Sequence, residues 1–127
     1  MTVLDSNQYE DRTIEVFFHA LYTYSLILPC LDACYSNNLF NGKKLHELEG
    51  RILHSLWKSK HDLDIVTDSK ANIYFTEIGL ELFDLIKAHI EVVYNKNIFL
   101  YDKYTLKGQP YNFTYEIFQK QNSVSLS

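Results

Sequence analysis

The sequence predicts a mainly helical α+β fold, and three observations carry that prediction. Apolar residues recur at helical spacing through three long stretches; two short aromatic or β-branched runs flank a turn-like DSKAN; and after residue 97 the pattern shortens to a strand-like period. A chain of 127 residues is long enough to bury its own core, so residues 1–127 are expected to form a single domain. Residues 1–12 are polar and read as a flexible lead-in, and 120–127, which close on QNSVSLS, as a flexible tail.

The first helix is expected to begin at Ile14, with Thr13 as its cap and Glu15 favourably placed in the first turn. Val16, Phe17, Ala20, Leu21, Tyr24, Ile27, Leu28 and Leu31 cover most of its circumference, the mark of a helix buried in the domain or in a subunit contact. Phe17, Leu21, Tyr24 and Leu28 are therefore candidates for a homodimer interface. Pro29 removes a backbone donor and is expected to kink this helix or end its first half. SNNLFNG, 36–42, follows as a loop.

The second helix spans 43–60. Leu45, Leu48, Ile52 and Leu56 make one apolar stripe, widened by Leu53 and Trp57, with Lys44, Glu47, Arg51, Ser55 and Lys58 opposite. A break at Gly50 would divide it into KKLHELE and RILHSLWKSK. LDIVT and NIYF then pair as a two-stranded ribbon about DSKAN. A third helix runs from Glu77 to about Tyr94, capped by Thr76, with Ile78, Leu82, Leu85, Ile86, Ile90, Val92 and Val93 in its apolar arc. Finally, IFLYDKY (98–104) and YNFTYEIF (111–118) flank TLKGQP as a β-hairpin or longer-looped strand pair.

Ribbon, Thr-x-x-Gly and amphipathic helix together resemble the wing and following helix of winged helix-turn-helix regulators of the MarR-like, PadR-like and plasmid-partition types. The match covers residues 62–94 and rests on Tyr74, Phe75, Thr76, Glu77, Gly79, Leu82 and Leu85. Physically, the threonine accepts from the first free amides of the helix, and the glycine lets the helix start lie close to a neighbour. The resemblance implies a winged-helix-like domain that binds double-stranded DNA as a dimer on paired half-sites.

The overall charge is −4, distributed as −4 over 1–42, +1 over 43–70, −3 over 71–86 and +2 over 87–127. Only the middle and the end of the chain offer phosphates a favourable field. Lys43, Lys44, Arg51, Lys58, Lys60 and Lys70 are the candidate DNA contacts, against the plainer reading of a solvated helix face interleaved with Glu47, Asp62, Asp64 and Asp68. Ten Tyr and eight Phe suit a core and a protein interface alike. The two cysteines, Cys30 and Cys34, form no disulfide framework, and no secretory leader is read, so a reduced, cytoplasmic setting is expected. The longest uncharged run, 16–31, is interrupted by His19, Thr23, Ser25 and Pro29 and reads as too short and too polar for a bilayer.

No catalytic, metal or cofactor signature emerges. His46, Glu49, His54 and His61 fall on different sides of their helix, with His54 and His61 on the wet side, and HELEG lacks the second histidine of HExxH. Cys30 and Cys34 beside His19 read as core. Asn112 to Thr114 fit a glycosylation triplet that carries meaning only on a secretory route. Glu49 and His89 stand out because each interrupts an apolar arc, and a buried ionisable group must find a partner or shift its pKa. Two non-enzymatic functions are therefore expected: a dimeric DNA-binding regulator, or a protein-binding module such as an immunity protein, inhibitor or adaptor that docks an acidic, tyrosine-rich surface on a basic partner.

Overall fold

The computed structural model describes residues 14–68 and 75–123, and all regular structure among them is helical. The elements are α1 (Ile14–Ser36), α2 (Gly42–Asp68), α3 (Glu77–Asn97), α4 (Leu100–Lys103) and α5 (Tyr115–Gln121). The α+β class is thus corrected to a helical one, because neither the wing nor the C-terminal hairpin forms among the described residues. Lys70, Tyr74 and most of DSKAN and NIYF lie outside them, as do residues 1–12.

Helix α1 passes through Pro29 and continues to Ser36, so its first half does not end at the proline. The chain turns at Asn38 and Gly42, both at positive φ, and α2 returns antiparallel. Helix α2 is unbroken at Gly50 and absorbs LDIVT. Ile52, Leu56, Ser59, Leu63 and Val66 are all buried at steps of four and three, a helical period that a five-residue window cannot reveal. Thr76 caps α3, its hydroxyl accepting from the Gly79 N–H at 3.0 Å. A Cβ at Gly79 would meet Thr76 Oγ1 at 3.2 Å and Phe75 Cβ at 3.4 Å, so the close approach there is to its own cap, not to another helix.

Helices α1 and α3 run side by side in the same direction. Phe18 meets Phe75 edge-on near their starts, ring centroids 5.4 Å apart. Near their ends Asp32 takes Lys96 at 2.5 Å and the Asn97 amide at 3.0 Å. Phe17, Leu21 and Leu28 of α1, Ile52, Leu53 and Leu56 of α2, and Phe83, Ile86, Ile90 and Val93 of α3 form the shared core. Full burial of each such side chain contributes roughly 1.5–3 kcal/mol.

The final segment crosses the side of α2 away from that core. In place of a strand ladder, two amide side chains hold its backbone. Gln109, fully buried, donates Nε2 to the Thr114 carbonyl at 2.9 Å and accepts the Thr114 N–H at 2.8 Å. Asn122 does the same for Thr105, at 2.8 Å each way, so residues 120–122 belong to the fold and not to a tail. Phe118 is the buried anchor, four residues before Asn122 and three after Tyr115, which is why YNFTYEIF coils at its end.

Candidate functional site

Of the cations expected to face DNA, Lys44 and Arg51 line one shallow cleft beside Glu47, whereas Lys58 and Lys60 pack against rings of other segments. Lys43 and Lys44 are exposed at the start of α2. Arg51 pairs with Glu47 at 2.8 Å and stands 5.0 Å from the Phe113 ring. Lys58 is buried, donating to the Tyr111 carbonyl at 3.0 Å and lying 3.7 Å from the centre of the Tyr111 ring. Lys60 sits 4.6 Å over the ring of Tyr94, and Lys70 lies outside the described residues. The amphipathic reading of α2 assigned its polar side to solvent, but the C-terminal segment covers part of that side.

The four residues of α1 proposed for a dimer are also corrected. Phe17, Leu21 and Leu28 are buried in the chain's own core, and Tyr24 packs against it half-buried. Exposed apolar residues of α1 lie elsewhere, at Val16, Tyr22, Leu26, Ile27 and Pro29, and of these Tyr22, Leu26 and Pro29 recur at steps of four and three. On α3 a parallel stripe is formed by Ile78, Leu82, Leu85, His89 and Val92. Ile78 is 76% exposed, Leu85 54% and Val92 59%, against 53% for Leu26. The stripes join where Pro29 and Asp32 of α1 meet His89, Val92 and Val93 of α3 around a shallow cleft of about 290 Å³. His89 is thus exposed, because the buried line of α3 runs Phe83, Ile86, Ile90, Val93 and Asn97 and passes beside it. By length and composition Val16–Ser36 also suffices to cross a bilayer, a property shared by the core helices of soluble bundles.

Glu49, the other residue marked by its interrupted arc, is buried and fully engaged. Its carboxylate accepts the Tyr35 hydroxyl at 2.8 Å and the Tyr104 hydroxyl at 2.6 Å, and takes the Lys103 ammonium at 3.2 Å. Burial, reinforced by the carboxylate, pushes the Tyr35 phenol up to about 12 and raises that of Tyr104 further. Both phenols therefore keep their protons at neutral pH, and the carboxylate has no free lone pair directed at a substrate. The arrangement ties the end of α1, the first half of α2 and α4 together. Beside it a cleft of about 370 Å³ is lined by Gly42, Leu45, His46, Glu49, Lys103, Tyr104 and Ser123.

A second line on α2, at steps of four, receives the C-terminal segment. His46 Nδ1 lies 2.9 Å from the Tyr115 hydroxyl. Gly50 has no Cβ where one would stand 2.9 Å from the Phe113 and Phe118 rings. His54 packs edge-on against Phe113, and Lys58 takes Tyr111. His46 and His54 are both buried, where His54 was expected on the wet side. Burial is the main cause that lowers each pKa; for His54, with Lys58 next and Arg51 adding less, the value falls to about 4 despite the opposing Pro110 carbonyl. A small residue between two histidines at this spacing was the available signal for a second packed face. Among the described residues no three His, Cys, Asp or Glu side chains converge as a metal site would require.

Comparisons with protein-family models, curated proteins and solved structures find no match for this chain.

Proposed function

We propose that this chain is a non-enzymatic protein-binding module whose contact surface is the face shared by α1 and α3. The observation that carries the reading is the continuity of that face. Two stripes at helical spacing, from Tyr22 to Pro29 and from Ile78 to Val92, join across one shallow cleft instead of closing on each other. Isolated exposed apolar residues are ordinary, but a contiguous patch of them is characteristic of an interaction site. The buried carboxylate supports the same reading, since its acceptor capacity is used in holding three segments together.

A photo-crosslinking amino acid placed at Leu85 or Val92, one position per full-length chain, tests this in the native host cell. The reading expects the same discrete protein adduct from both positions, absent when the probe stands at exposed Thr67 on α2, and lost on adding Leu26→Glu. Adducts equally abundant from Thr67, or none from either α3 position, would overturn it.

A further inference from the structure

Among the described side chains, the α1–α3 face is bordered by acidic charge on one side only. Glu77, Glu81 and Asp84 are exposed along the α3 edge of the apolar stripe, and the α1 edge carries His19, Cys30 and Ala33. Glu77 lies in the first turn of α3, where the helix dipole favours an anion. Glu81 and Asp84 lie beyond that turn, and neither has an ion-pair partner among the described residues. Lys87 follows one turn after Asp84, with Glu91 one turn beyond it, so the acidic excess belongs to the first half of the helix.

Resting on the reading of this face as a protein contact, we propose that its occupant is an amphipathic helix with an apolar face and Lys or Arg along one flank. The stripe from Ile78 to Val92 spans roughly 21 Å at the rise of an α-helix, enough for about four turns of a partner. Apolar residues of that helix would seat between α1 and α3, with its basic flank over Glu81 and Asp84. The one-sided charge also fixes its direction of roll, because among the described side chains the opposite flank meets His19, Cys30 and Ala33 and no carboxylate. A second copy of this chain would bring its own acidic border to the contact. Lys96, the cation that continues the stripe, is already held by Asp32 in each copy. Anionic lipid headgroups would likewise face like charge.

Three synthetic amphipathic helices with one leucine face and Lys, Gln or Glu on one flank, titrated against the full chain by fluorescence anisotropy, test the proposal. The Lys helix is expected to bind about tenfold or more tighter than the Glu helix, a preference that weakens with salt. It should vanish in the combined Glu77→Gln, Glu81→Gln, Asp84→Asn variant, and Leu85→Glu should abolish binding of all three. Equal binding of the three helices would overturn the charge assignment while leaving a contact face. Concentration-dependent dimerisation in sedimentation, broken by Leu85→Glu, would assign the face to a second copy and overturn the helix proposal. Retention on lipid vesicles without peptide binding would assign it to a membrane. No binding of any helix by a strictly monomeric chain would overturn the face and the proposal together.

Discussion

Replacing His54 by Leu isolates one ionisation inside the contact between α2 and the C-terminal segment. The ring is 4% exposed and its pKa is lowered from 6.5 to about 4. Burial disfavours the imidazolium, and on α2 itself Lys58 and Arg51 add like charge, while the Phe113 ring offers no counterion. The folded state therefore favours the neutral ring. This contribution is fully present above pH 6.5 and is lost as pH falls through the window from 6.5 to 4, where the unfolded chain binds a proton that the folded chain refuses. A displacement from 6.5 to about 4 corresponds to about 3 kcal/mol, a large share of the roughly 5–15 kcal/mol that holds a domain together. Urea unfolding followed by far-UV circular dichroism at pH 7 and pH 4 measures it. The difference in unfolding free energy between wild type and His54→Leu removes the contributions of the carboxylates and other histidines common to both. Wild type should lose about 3 kcal/mol more than the variant over this interval. Parallel losses would show that His54 titrates like a solvated ring and that the C-terminal segment does not cover it.

Two further outcomes follow from neighbouring contacts. Gly50→Ala should lower stability by roughly 1–2 kcal/mol in urea, because overpacking against two rings exceeds the ~1 kcal/mol helix preference of alanine; a gain would mean that Phe113 and Phe118 do not lie there. Glu49→Gln should cost roughly 1–3 kcal/mol by weakening two charge-assisted hydrogen bonds and leaving Lys103 unpaired. In the same variant, absorbance titration at alkaline pH should show the Tyr35 phenol moving down from about 12, though not to an ordinary value, since burial is the larger cause; an unmoved titration would refute the Glu49 contact.

The parts legible in the sequence were those whose evidence is local and long. Three helices, the Thr76 cap and the inward place of Glu49 all follow from period and capping chemistry within one segment. The misreadings had two physical origins. LDIVT and YNFTYEIF are too short to distinguish a period of two from one of 3.6, and β-branched and aromatic residues tipped both toward strand. Lys58 and His54 were assigned to solvent because an amphipathic helix has a second side, and what covers that side lies more than fifty residues away at Tyr111 and Phe113. The choice of Phe17, Leu21 and Leu28 as interface residues went astray for a related reason. Phe17, Leu21 and Leu28 announce that α1 is buried but not by which helix, and the answer is α2 and α3 of the same chain.

Because α2 is flanked by the helical bundle on one side and by residues 104–122 on the other, synthesis meets the two halves of its environment at different times. A growing polypeptide can fold α1 against α2 as soon as both have left the ribosome. His46, Gly50, His54 and Lys58 meanwhile await Tyr115, Phe118, Phe113 and Tyr111, which follow more than fifty residues later. Until residues 104–122 have emerged, one flank of the central helix stays uncovered.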